Sequence, residues 1–325
     1  MVIRLIITVL LAAGVSCLIT PRLIRFCHAR NLVVKPDGRR HHSQPTPQLG
    51  GFSIYIGFLF AVLVAFPFIS DSLAHYPQYL YGILGTVIAG GLVFLMGLFD
   101  DLFVIRPITK LFLQITIAVC LVVFGIHIDF VSGPFSELVF LPLWISGIIT
   151  IFWVVAVMNA INLTDGLDGL AGGISLIAGI VFMAIALTRA EPLKAEVPAF
   201  LSAAMIGGII GFLPYNFPHA KIFLGDSGSQ LLGFLLATIA ILGAFKGPTV
   251  LALAIPVLVL GIPILDTSLA IVRRGIRGQK IYEPDDEHLH HTMVKKGLSP
   301  VQTTLILCAI TIVLGIVALN VSGCE

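Results

Sequence analysis

The chain has 325 residues, of which 58% are hydrophobic and 11% charged, and its formal net charge is +2. Soluble domains carry about 25% charged residues, so this sequence has too little polar material for a solvated surface and is read as a polytopic, all-α integral membrane protein. The small net charge gives no footing for a nucleic-acid partner.

The first twenty residues, MVIRLIITVLLAAGVSCLIT, carry one Arg before the apolar run, and no small-residue cleavage site follows. They read as a retained first helix and not as a signal peptide. Apolar runs long enough for roughly 20-residue helices fall near 2–20, 50–69, 79–99, 108–125, 139–159, 170–188, 197–215, 229–245, 249–271 and 301–321. That predicts about ten spans, with only Lys246-Gly247-Pro248 between the eighth and ninth. There is no internal repeat, so residues 1–325 read as a single integral membrane domain. The Cys residues (Cys17, Cys27, Cys120, Cys308, Cys324) are scattered and mostly inside apolar runs, and they form neither a disulfide framework nor a metal-ligand spacing.

Ten spans put both termini on one side. Of the 19 Lys and Arg, only Arg4, Arg189, Lys194 and Lys246 fall on that side. The positive-inside rule therefore makes the opposite face cytoplasmic and both termini extracytoplasmic.

The unusual polar residues gather on the same basic face. Asp100 and Asp101 lie where the third span meets the headgroups, and ionised carboxylates there are costly unless paired or metal-bound. In MNAINLTDGLDGL (Met158 to Leu170), Asn159 and Asn162 are three apart, as are Asp165 and Asp168, hence on one helix face. Asp226 sits in KIFLGDSGS (Lys221 to Ser229), a Gly-Asp turn ahead of a helix whose free amides can meet an anion. Carboxylates with Asn amide oxygens are hard ligands suited to Mg²⁺ or Mn²⁺. Lys110, Arg273, Arg274 and Arg277 are suited to phosphate oxygens. Acids, a hard metal and basic clamps are the parts of a phosphoryl-transfer site. Taken singly, each Asp reads as well as a helix cap, and each basic loop as a topology marker. The coincidence of five such segments on one face favours a site. Asp266 lies inside the ninth span, about 10 Å below the interface at 1.5 Å per residue. It reads equally as a site residue or as an interhelical hydrogen bond.

From about residue 31 to 298 the sequence resembles the polyprenyl-phosphate N-acetylhexosamine-1-phosphate transferases. MNAINLTDGLDGL and FLGDSGS carry the resemblance most specifically, and HLHH (His288 to His291) is similar to the N-acetylglucosamine-type branch. The resemblance implies transfer of a HexNAc-1-phosphate, foremost GlcNAc-1-phosphate, from a UDP-sugar to undecaprenyl phosphate, with UMP released. It implies Asn162 and Asp226 as Mg²⁺ ligands, Asp100 with Asp101 beside it as the acid that helps the lipid phosphate attack, and Lys110 near the diphosphate. Asn159, Asp165 and Asp168 fall on the nucleotide and metal side, and Phe223 on the uracil. His288, His290 and His291 fall on the sugar and diphosphate, with Arg273 and Arg274 nearby, and Arg39, Arg40 and His42 near the lipid phosphate. The expected partners are the two substrates, the lipid bilayer of a bacterial inner membrane and a second copy in a homodimer. Two positions depart from the family pattern. Val104 stands where a third Asp or Asn is usual, and Val34 where an Asp precedes Lys-Pro. UDP-GalNAc, a 6-deoxy HexNAc or the muramoyl pentapeptide remain alternative donors. A transporter is the remote alternative, disfavoured because polar clusters sit at span ends and not at the midplane.

Overall fold

The structure, a computed structural model, describes residues 1–34, 45–132, 138–189, 192–243, 254–278 and 287–322. Thirteen α-helices account for most of them: α1 Val2–Ala29, α2 Gly50–Ala65, α3 Ser70–His75, α4 Gln78–Phe103, α5 Pro107–Val123, α6 Leu143–Thr164, α7 Leu170–Arg189, α8 Pro192–Asn216, α9 Gly225–Leu242, α10 Ala254–Val259, α11 Gly261–Ile276, α12 Leu289–Lys295 and α13 Pro300–Val321. Seven helices among the described residues are long and apolar enough to cross a membrane, and α2 and α5 are shorter apolar helices. This is a multi-pass membrane protein. Lipid offers backbone groups no hydrogen bonds, so apolar runs of this length satisfy them internally as helices.

Most predicted spans correspond to helices within a few residues, with three differences. The first helix, expected over 2–20, continues to Ala29. The run 249–271 is divided: α10 ends at Val259 and α11 begins at Gly261, with Pro256 and Pro263 flanking the break. Proline removes a helical donor and clashes with the preceding turn, which explains an interruption inside one apolar stretch. The run from 139 opens with a short strand, β2 Leu138–Phe140, which pairs antiparallel with β1 Phe130–Ser132, and α6 starts only after Pro142.

The bundle is built around α9, buried along its length from Ser227 to Ile241. Its first turn is pressed against α2 and α4 at glycines. A Cβ on Gly51 would lie 2.3 Å from the Gly228 nitrogen, and one on Gly97 would lie 2.5 Å from the Ser227 Cα. Only a hydrogen fits at these two crossings. At α13, Ser299 accepts the Gln302 amide while the Gln302 side chain accepts the Ser299 amide, a capping box that fixes where the last helix begins.

The cytoplasm-predicted ends of these helices meet at one end of the bundle. The segment before α2 is laced to the turn before α9: the Phe223 amide donates to the Pro47 carbonyl at 2.8 Å, and the Gly50 and Gly51 amides donate to the Phe223 and Leu224 carbonyls. The Gln48 amide group donates to the Asp101 carbonyl at 2.8 Å, tying the same segment to the end of α4.

Candidate active site

Four helix ends deliver a compact charged group. Asp100 comes from the last turn of α4, Lys110 from the first turn of α5, Asn162 from the last turn of α6 and Asp226 from the first turn of α9. Pro107 opens α5, where its missing N–H costs nothing and its fixed φ suits a helix start. The Lys110 ammonium pairs with Asp100 Oδ2 at 2.7 Å and also with Asp226 Oδ2. Asp226 Oδ1 accepts the Asn162 amide at 2.9 Å, and the same amide nitrogen donates to Ser229 Oγ at 2.8 Å. Asp100 Oδ1 accepts the Ile105 amide at 2.6 Å.

Asp101 has a different surrounding from its neighbour. Its carboxylate accepts the Asp226 amide at 2.8 Å and the Ser227 amide at 3.0 Å. Those are orphan donors at the α9 N-terminus, so Asp101 caps α9 from outside and sets the height at which Asp226 stands.

One turn farther into the bundle the same helices meet again through neutral amides. Gln114 is four residues after Lys110, Asn159 three before Asn162, and Gln230 four after Asp226. Gln114 Nε2 donates to Gln230 Oε1 at 2.8 Å, and Asn159 Nδ2 donates to Gln114 Oε1 at 2.9 Å. Sequence reasoning named Asn159 and missed both glutamines. Their signal was a polar residue one helical turn from each charged one, in spans otherwise apolar.

The charged group opens onto a cavity of about 1650 Å³. Among its lining residues Asp165, Asp168, Asn216, His219, Arg274 and His291 are polar, and Phe223, from the sequence segment before α9, lines it with them. Farther along the helices the lining is apolar, from Leu111 and Ile115 of α5, Ile148, Phe152 and Val155 of α6, and Ile264 and Ile271 of α11. Asn216, also unforeseen, accepts the Gly169 amide at 2.9 Å and donates to the Ile222 carbonyl at 3.0 Å. It thereby joins the loop holding Asp165 and Asp168 to the one holding Phe223. Asp168 Oδ2 accepts the Ala220 amide at 2.9 Å, a second tie between those loops.

The structure divides the remaining candidates. Arg274 is buried and lines the cavity, whereas Arg273 turns to Glu287, with Nε 3.2 Å from Oε2. Of the three loop histidines, His291 lines the cavity and His288 and His290 are not on its wall among the described residues. His290 is buried, and desolvation, aided by His291, pushes its imidazole down to about 4. Arg39, Arg40 and His42 lie outside the described residues.

Residues 83–244 match the description of glycosyl transferase family 4. Over 317 residues the chain is 32% identical to a probable undecaprenyl-phosphate N-acetylglucosaminyl 1-phosphate transferase of Bacillus subtilis, covering 98% of this chain and 85% of that relative. The chain belongs to glycosyl transferase family 4. It is 36% identical to the decaprenyl-phosphate N-acetylglucosaminephosphotransferase of Mycolicibacterium smegmatis over 292 residues, 85% of this chain and 71% of that one. A phospho-N-acetylmuramoyl-pentapeptide-transferase of Limosilactobacillus reuteri is 32% identical over 250 residues, 73% of this chain and 74% of the relative. The chain is thus a phosphosugar transferase of this family, embedded in a membrane, and the charged group is its candidate active site.

Proposed function

We propose that the protein transfers GlcNAc-1-phosphate from UDP-GlcNAc to undecaprenyl phosphate, giving undecaprenyl-diphospho-GlcNAc and UMP. The observation that carries this reading is that the Lys110–Asp100–Asp226 group lines one cavity together with polar side chains at the helix ends and apolar side chains farther along α5, α6 and α11. A diphosphate donor suits the polar lining, and a polyprenyl tail suits the apolar lining from α5, α6 and α11. GlcNAc as the donor sugar is supported by the Bacillus and Mycolicibacterium relatives, whose names specify it.

In the reaction an oxygen of the lipid phosphate attacks the β-phosphorus of the donor. The bond from that phosphorus to the oxygen bridging toward the α-phosphate breaks, and UMP leaves with that oxygen. Asp100 orients the lipid phosphate and takes its last proton when one is present. The second pKa of a phosphate monoester is about 6, so this demand is small. Lys110 sits where it meets the developing negative charge on the diphosphate. Phe223 offers a ring face to the uracil, and His291 and Arg274 reach the phosphate and sugar side.

Asp226 and Asn162 are assigned to hold Mg²⁺, with Mn²⁺ as the alternative ion. The fit rests on the chemistry of the site: the carboxylates of Asp100 and Asp226 already converge on one cationic centre, the Lys110 ammonium, and the neighbouring oxygens are hard. No cluster of three or more His, Cys, Asp or Glu among the described residues could hold a metal unaided. On this reading substrate phosphates and water would complete the ion's coordination. When bound, the ion supplies charge neutralisation on the diphosphate.

We further assign ten crossings, counting α2, α5 and the divided α10–α11 with the seven long helices. Both termini are then extracytoplasmic, and the site lies at the cytoplasmic face of a bacterial inner membrane. A homodimer remains part of this reading.

The test uses purified protein, undecaprenyl phosphate, Mg²⁺ and a panel of UDP-sugars, with UMP release measured with and without lipid. Lipid-dependent UMP from UDP-GlcNAc alone supports the reading. Release from UDP-MurNAc-pentapeptide instead would follow the Limosilactobacillus relative and overturn the donor. No release from any donor by folded protein would overturn the reaction.

A further inference from the structure

The acid left unexplained by the chemistry above is Asp266. Residues Ile264, Thr267, Ser268, Ile271 and Arg274 give α11 its cavity face, at the three- and four-residue spacing of a helix. Asp266 lies off that face. Its carboxylate accepts the Leu289 amide through Oδ1 at 2.9 Å and faces His288 Nδ1 through Oδ2 at 3.1 Å. Both side chains are nearly buried, at 10% and 6% exposure.

These contacts fall at the start of α12. His288 is its N-cap and makes no capping bond with its own side chain, so the first amide of the helix is satisfied by Asp266 from another element. A second clasp holds the solvent side: Glu287 accepts hydrogen bonds from both terminal nitrogens of Arg277, at 2.8 and 3.1 Å, and forms an ion pair with Arg273, 3.2 Å from its Nε. A third contact fixes the rotation of α12. His290 is seated against Gly166, where a Cβ would come within 2.0 Å of its Nε2. With His288 held by Asp266 and His290 against Gly166, the next residue, His291, is the one turned to the cavity, beside the loop of Asp165 and Asp168.

We propose that Asp266 is a positioning residue: it fastens the first turn of α12 to α11 so that His291 faces the cavity. His288 and His290 then serve as posts and not as ligands. Only the identification of the substrate met there rests on the functional reading given above.

Two measurements test this. The first is amide exchange of the peptide spanning 287–296, followed by mass spectrometry on protein in detergent, and it needs no substrate. In Asp266→Ala the α12 amides exchange about tenfold faster or more, in line with loss of a charge-assisted hydrogen bond. Asp266→Asn, which keeps an acceptor for Leu289, falls between Ala and the parent. Unchanged exchange in Asp266→Ala would overturn the proposal. The second is steady-state kinetics with each substrate varied in turn. Asp266→Ala raises the KM for the UDP-sugar about tenfold and leaves the KM for the lipid phosphate within about twofold. Added to His291→Ala it costs little more, because both act through one side chain. Fully additive losses, or an equal rise in both KM values, would overturn it. If the parent protein releases no UMP from any donor, the functional reading fails alone and the exchange result decides the role of Asp266.

Discussion

The carboxylate of Asp101 accepts the backbone amide of Asp226 at 2.8 Å, joining the end of one helix to the start of another across 125 residues of chain. A helix cap supplied from outside is worth about 0.5–2 kcal/mol, and here it also sets the position of a candidate metal ligand. Asp101→Ala is expected to lower thermal stability and kcat together, and Asp101→Asn, with one acceptor oxygen remaining, less so. Melting curves in detergent with UMP release read both. A stable Asp101→Ala with unimpaired kcat would contradict the capping role.

Asp226→Asn is expected to fold normally and lose activity by about 10²–10³-fold, the scale of removing one preorganised charge-stabilising group. Chelation of divalent ions from the parent should produce a comparable loss that Mg²⁺ restores. An Asp226→Asn protein with full activity would sink the metal assignment.

Gln114 holds Gln230 and Asn159 simultaneously. Gln114→Leu leaves a buried acceptor on Gln230 unsatisfied and is expected to cost about 1–3 kcal/mol. Adding Gln230→Leu removes that acceptor, so the double variant should be more stable than the sum of the single losses. Equilibrium unfolding of all three proteins checks this, and simple additivity would argue against a shared network.

Val104 adopts φ +54°, where its branched side chain is strained. Asn and Asp tolerate a positive φ better than a branched residue. Val104→Asn is therefore expected to raise stability by about 1 kcal/mol. A lower melting temperature in the variant would show that the Val side chain has packing worth more than the strain.

His290 titrates near 4 in the folded protein, against an ordinary value of 6.5. Between those values the unfolded chain binds a proton that the native state does not, so stability falls as pH drops from 6.5 toward 4 and is independent of this group above 6.5. His290→Gln should flatten that part of the melting-temperature profile. A profile of the same slope in the variant would assign the dependence to other groups.

The helices were legible because lipid leaves an apolar stretch no other way to satisfy its backbone. The acids, Asn159 and Asn162 stood out as candidates because polar groups in such stretches are costly and few. What the chain order does not encode is the direction each group faces. Asp100 and Asp101 are adjacent, yet one meets Lys110 and the other caps α9. Successive residues point about 100° apart on a helix, and which neighbour lies in either direction is decided by packing. The same holds for His288, His290 and His291, whose spacing is consistent with three ligands or with one. Gln114 and Gln230 became meaningful only once α5, α6 and α9 were known to adjoin. Asp266 needed a partner 22 residues away on a separate short helix.

The cavity that holds the charged group is also lined by the apolar side chains of Leu111, Ile115, Phe152 and Ile264. On the proposed reading, the two substrates therefore arrive from phases of different dimension. The nucleotide sugar is supplied by volume concentration and the acceptor by its surface density in the leaflet. Diluting the membrane with inert lipid at constant total acceptor should slow the enzyme as though acceptor had been withdrawn, while the response to the UDP-sugar stays the same.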